Sequence, residues 1–183
     1  MMFFRRFFSA SPDTKIARDL YALIVAKARQ PYFYAVLDVP DTVDGRFDMI
    51  TLHAVLAINR LAESGPQGKG LSQKLFDEMF ADMDRSLREM GAGDLSIGKK
   101  IRRMAEVFYG RAKAYREALA QGDPRAIEQA LARNIYPDGS KPENIARLAR
   151  YVIASVRALA AQSDADGLKG CMVFPDPESS EQS

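Results

Sequence analysis

The sequence predicts an all-α, single-domain bundle of about six to seven helices with short extended tails, and three observations carry that prediction. Apolar residues recur at three- and four-residue intervals along almost the whole chain, and no segment sustains the alternation of a half-buried strand. Capping residues, prolines and glycines punctuate that pattern at helix-length intervals. The 183 residues, 47% hydrophobic and 27% charged, are enough to enclose one continuous core and lie far from the composition of a disordered chain. We divide the chain into a Phe/Arg-rich segment (1–11), a helical domain (12–163) and a C-terminal tail (164–183).

Ser11 before Pro12 opens the first helix, because Ser caps and the missing N–H of Pro is harmless there. Ile16, Leu20, Leu23 and Ile24 supply its stripe, and it should stop before Pro31. From Pro31 to Asp44, two prolines, the trio Tyr32, Phe33 and Tyr34 and a closing Asp-Gly pair predict an ordered loop with one short helical turn. From about Asp44 to Ala62 the helix is apolar nearly all round, which places it at the centre of the bundle. SGPQGKG reads as a flexible connector. An amphipathic helix follows, with Leu71, Leu75, Met79, Met83, Leu87 and Met90 expected to be buried and Gly91 and Gly93 ending it. Asp94 or Ser96 should cap the longest helix, whose stripe runs Ile97, Ile101, Met104, Phe108, Ala112, Tyr115 and Leu119 up to Gly122. Asp123-Pro124 starts a short helix. Ser140 with Glu143 forms a capping-box pattern before the last one, which carries Ile145, Leu148, Val152, Val156 and Leu159. A polar tail interrupted by CMVF follows from Asp164.

Several function classes drop out at this level. Cys171 is the only cysteine, so an intramolecular disulfide is impossible and a cysteine-based zinc site lacks ligands; a reducing compartment fits. No run approaches the about 18 apolar residues needed to cross a bilayer, and MMFFRRFF lacks the apolar stretch of a secretory signal. Phe3, Phe4, Arg5 and Arg6 are membrane-contact candidates, since they combine apolar burial with charge; a frayed terminus is the alternative. The net charge of +2 gives no whole-molecule attraction for DNA.

The residues that could carry chemistry are few. His53 is the sole histidine, and without an EXXH-type spacing or a nearby activated serine or cysteine it reads as a hydrogen-bonded structural residue. GPQGKG lacks the frame of a phosphate-binding loop. Asp77, Glu78, Asp82, Asp84 and Glu89 share the exposed side of the amphipathic helix, where Asp84 with Arg88 and Arg85 with Glu89 are spaced for surface pairs. We therefore expect no catalytic residue, cofactor or metal. Charge is unevenly distributed: residues 76–94 hold six acids against two bases, net −4, and residues 96–120 hold seven bases against two acids, net +5. On the helical wheel Lys99, Arg103 and Lys113 lie opposite the buried stripe with Gly110 among them. A mid-helix glycine costs about 1 kcal/mol relative to alanine, which is explained if another chain approaches there. Lys99, Lys100, Arg103, Gly110 and Lys113 are accordingly the partner-binding candidates, although such a face does not distinguish RNA, phospholipid and acidic protein.

Two stretches narrow the field: ARQPYFYAVLDVPDTVDGRFDMITLHAVLAINRL and FDEMFADMDRSLREMGAGDLSIGKKIRRMAEVFYGRAKAYREAL. Their VPDT, DGRFD and LH elements, followed by DMDRSLREMG, GDL, GKK and FYGR, resemble the ubiquinol-cytochrome c chaperone family over most of residues 20–120. Matching positions include Pro40, Asp41, Thr42, Asp44, Arg46, Asp48 and His53, then Asp82, Asp84, Arg85, Arg88, Gly91, Lys99, Lys100, Tyr109, Gly110 and Arg111. The resemblance implies a non-enzymatic assembly factor that binds newly made cytochrome b during biogenesis of the respiratory bc complex, before haem insertion. Mitochondrial members of the family act with a small helical partner at the ribosome exit region, so those are further implied partners. The short segment before the matching region leaves little room for a mitochondrial presequence, which favours a bacterial cytoplasmic setting, peripheral to the inner membrane, over a mitochondrial matrix. The rival reading from the residues themselves is a peripheral lipid- or isoprenoid-binding protein, and a third is a carboxylate-dependent metal enzyme.

Overall fold

Proline in the first turn opens five of the helices and a capping side chain opens four in the computed structural model, which describes residues 11–91 and 93–179. Phe3, Phe4, Arg5 and Arg6 lie outside the described residues. Eight helices are described: α1 (Pro12–Ala28), α2 (Pro31–Ala35), α3 (Val43–Glu63), α4 (Gly65–Glu89), α5 (Asp94–Ala120), α6 (Pro124–Ile135), α7 (Pro142–Ala161) and α8 (Asp164–Leu168). Six are long and two have five residues, and no strand occurs among the described residues, so the architecture is the all-α bundle expected.

The Ser11 side chain accepts from the Thr14 N–H, Thr42 from the Gly45 N–H, and Asp123 from the Arg125 N–H, each supplying an acceptor to an otherwise orphan donor of a first turn. Two expected caps are not used. Gly93 holds the N-cap position of α5, with Asp94 already inside the helix and Ser96 Oγ donating back to the Gly93 carbonyl at 2.7 Å. Lys141 rather than Ser140 precedes α7, because Pro142 sets the first helical position one residue later than the capping-box spacing assumes.

The unbroken apolar circumference of α3 has its expected consequence: Met49, Leu52, Ala54, Ala57 and Leu61 are fully buried, with α1, α4, α5, α6 and α7 packed around the helix. Burying each such Leu or Met contributes about 2 kcal/mol relative to exposure.

The largest departure from expectation is SGPQGKG, which is not a connector. The chain turns at Ser64 and at Gly65 (φ +76°), and α4 has already begun at Gly65. The glycines reflect packing rather than looseness. A Cβ at Gly68 would sit 1.9 Å from the Leu61 carbonyl oxygen, so only glycine lets α4 fold back directly against the end of α3. Ser72 Oγ, one turn on, donates to the carbonyls of Gly68 at 2.9 Å and Ile58 at 3.2 Å.

From Asp164 the polar segment forms α8 and then an extended strap with Met172 and Phe174 buried. Buried and exposed residues alternate along it, and its backbone is held by Gln162, which donates to the Val173 carbonyl at 2.8 Å and accepts from the Val173 N–H at 2.9 Å. Lys27 Nζ donates to the Pro175 carbonyl at 2.9 Å.

Candidate functional site

His53 behaves as the structural residue expected. The Met49 carbonyl 2.8 Å from Nδ1 can only accept, so the proton sits on Nδ1, and Nε2 accepts from the Tyr151 hydroxyl at 2.8 Å. Phe33, Tyr151 and the strap residue Phe174 surround the ring at 5.3–5.6 Å between centroids. Burial pushes its pKa down to about 4, so it is neutral across the physiological range.

The carboxylates of α4 are spread among different neighbours. Asp84 pairs with Arg88 as its spacing predicts, at 2.6 Å. Arg85 pairs with Asp82 at 2.8 Å instead of Glu89, and Asp82 also accepts from the Tyr21 hydroxyl at 2.9 Å, which draws it towards α1. Glu78 meets Arg18 at 3.6 Å, and Asp77 accepts from Gln73. Among the described residues no three His, Cys, Asp or Glu side chains come together as a metal site.

The lower half of the α4 stripe is where structure and periodicity part. Leu71, Leu75 and Met79 are buried as expected, but Met83 and Leu87 are only partly covered and Met90 is 61% exposed. The cause is the path of α5. Phe76 and Phe80 stack against Phe108 and Tyr109 at 5.2–6.1 Å between rings, which joins the two helices at that level. Closer to Gly91, α5 does not cover α4, and a cleft of about 960 Å³ lies between them, with the start of α3 as a third side. Met83, Leu87 and Met90 of α4, Met104 and Val107 of α5, and Phe47 and Ile50 of α3 form its apolar lining. Methionine is the unbranched, polarizable side chain that adapts to varied apolar shapes.

Charge rims this lining. Arg29, Lys100, Arg103 and Arg133 border the cleft and have no salt-bridge partner among the described residues, whereas Arg46 is tied to Asp41 at 2.7 Å. Arg111 reaches in from α5, forms a close ion pair with Asp48 of α3, lies 5.8 Å over the Phe47 ring and donates to the Asn134 carbonyl, so one guanidinium joins α3, α5 and α6 at the edge of the cleft. Burial outweighs the attraction of Arg111 and raises the Asp48 pKa to about 6, with Asp44 adding to the rise.

Of the partner-binding candidates, the structure brings Lys100 and Arg103 to the cleft. Lys99, Gly110 and Lys113 are exposed on α5 away from its lining, and Lys113 pairs loosely with Glu117 at 3.8 Å. A Cβ at Gly110 would meet nothing within 4 Å, so no close approach among the described residues accounts for that glycine. Arg29, Phe47 and Arg133 were not singled out as site residues from sequence, and Met83, Met90 and Met104 were expected there only as stripe positions of the core. The available signal was that three methionines, Met83, Met90 and Met104, fall on the facing stripes of two successive helices.

By class this is an all-α domain with an amphipathic surface cleft, and among the described residues no helix is long and apolar enough to cross a membrane. Residues 35–174, well over half of the chain and including the strap up to Phe174, match the model of the ubiquinol-cytochrome C chaperone family. The ubiquinol-cytochrome-c reductase complex assembly factor 1 of Xenopus laevis is 26% identical over 144 residues, which is 78% of this chain and 72% of that protein. The Mus musculus and Homo sapiens assembly factors 1 are each 24% identical over 151 residues, 82% of this chain, which spans about half their lengths (51% and 50%). The crystal structure of the Cbp3 homolog from Brucella abortus superimposes with a TM-score of 0.83 at 39% identity, covering 91% of this chain and 92% of that one. The chain belongs to the ubiquinol-cytochrome C chaperone family.

Proposed function

We propose that this chain is an assembly chaperone of the ubiquinol-cytochrome c reductase complex, and that the cleft between α3, α4 and α5 holds an apolar segment of newly made cytochrome b. The observation that carries the reading is the row Met83, Leu87, Met90, Met104 and Val107, spaced for burial yet left partly open in a cleft of about 960 Å³. A row of this kind, adaptable in shape and rimmed by cations, suits a partner that is apolar along its length and polar at its edges. The names of the family and of its assembly-factor relatives point to the respiratory complex as the setting. Binding rather than bond-making is the mechanism: the cleft shields apolar surface until other subunits cover it. Lys100 and Arg103 fix the orientation of the client at the rim. A client of this kind ends in a membrane, so the reading includes action at the inner-membrane surface; a ribosome exit region or a small helical partner would supply the client.

Affinity capture of the tagged chain from membranes of its native host after mild crosslinking tests this. Cytochrome b should be enriched with the wild type and lost with Leu87→Glu. Reproducible lipid without cytochrome b would replace the reading with that of a peripheral lipid- or isoprenoid-binding protein.

A further inference from the structure

The first turns of α5 hold a feature that client binding leaves unused. Residues 96–105 contain Lys99, Lys100, Arg102 and Arg103 and no acid. All four are exposed, and none has a salt-bridge partner among the described residues, unlike Arg18, Arg46, Arg60, Lys74, Arg85, Arg88 and Arg111. Four cations within five residues, with no ion pair among the described residues, repel one another and add to the positive end of the helix dipole, so the arrangement favours an external anion. Lys100 and Arg103 also border the cleft whose lining includes Met90, 61% exposed. Cations and exposed apolar surface therefore meet at the α4–α5 end of the molecule.

We infer that this end docks on an anionic phospholipid surface, with Lys99, Lys100, Arg102 and Arg103 against the headgroups and Met90 at the boundary, so that the cleft opens towards the bilayer. Charge complementarity selects the partner, and the neighbouring apolar lining selects lipid over nucleic acid. A single-stranded nucleic acid would draw on aromatic stacking, but the exposed Tyr109 is engaged with Phe76 at 5.4 Å. The inference rests on the proposed function only for its purpose. Its test is separable, because Lys99 and Arg102 lie outside the cleft lining.

The full chain is mixed with vesicles of phosphatidylcholine, with and without about one third phosphatidylglycerol, at low and high salt, and bound protein is measured by flotation. Binding should need the anionic lipid and weaken with salt. Each basic residue at such a surface accounts for about fivefold in partitioning, so Lys99→Gln with Arg102→Gln should lower it roughly 25-fold. The same double variant should keep its melting curve and its capture of cytochrome b from detergent extracts. Binding that survives the double substitution, absence of binding to the anionic vesicles, or binding to an oligonucleotide in their place would each overturn the inference.

Discussion

Replacing Asp48 by Asn should change how stability responds to pH more than the wild-type profile suggests, because two buried groups titrate in opposite directions over the same interval. The folded pKa of His53, about 4, lies below its ordinary 6.5, so between those values the unfolded chain binds a proton that the folded chain refuses. Stability that is present above pH 6.5 is lost as pH falls towards 4, by about 3 kcal/mol. Asp48 acts in reverse. Its folded pKa of about 6 exceeds the ordinary 3.8, so the folded state takes up the proton first and stability is gained as pH falls through 6. Allowing for solvent screening on its cleft side, that gain is about 2 kcal/mol. The wild type should therefore lose only about 1 kcal/mol between pH 6.5 and 4, and Asp48→Asn about 3. Above about pH 6 the substitution also removes the anion that faces Arg111, whereas below it the wild-type carboxyl is itself protonated, so the slope is the quantity to read. Urea unfolding followed by far-UV circular dichroism at several pH values supplies it. Parallel profiles for wild type and variant would refute the opposition of the two groups.

Three further outcomes follow from the packing. Gly68→Ala should destabilise the protein by about 3 kcal/mol or more in urea unfolding, since its Cβ would meet the Leu61 carbonyl, while Gly70→Ala, with open space around it, should be neutral or stabilise by up to about 1 kcal/mol. Phe174→Ala should cost about 3 kcal/mol and make the strap after Gln162 sensitive to limited proteolysis; an unchanged cleavage pattern would show that the strap is not held by that ring. Leu87→Glu should alter stability by less than about 1 kcal/mol yet cut cytochrome b capture at least about tenfold, whereas Leu75→Glu, fully buried on the same helix, should prevent folding.

The starts of α1 and α6 were legible because their caps are local: Ser11 and Asp123 act within three residues. The α3–α4 corner was not, because glycine has two uses. Sequence reads flexibility in SGPQGKG, but Gly68 is set by a carbonyl seven residues earlier on another helix. The cleft was half legible. Periodicity found the apolar row from Leu71 to Met90, but it reports which face is apolar and not what covers it, and the path of α5 depends on the ring stacking of Phe76 and Phe80 with Phe108 and Tyr109. The Asp48–Arg111 pair joins residues far apart in sequence, and no spacing rule reaches that far. Lys100 and Arg103 were found through their charge, and their place at the cleft follows from the direction in which α5 leaves the Gly91 turn.

The most direct measurement is site-specific photocrosslinking in growing cells, with the crosslinker placed in turn at Leu87, at Met104 and at Gln129, which is exposed on α6 away from the cleft lining. If the cleft holds the client, Leu87 and Met104 should yield adducts with cytochrome b and Gln129 should not. Cytochrome b adducts from Gln129 alone, or none from the two cleft positions, would contradict the account.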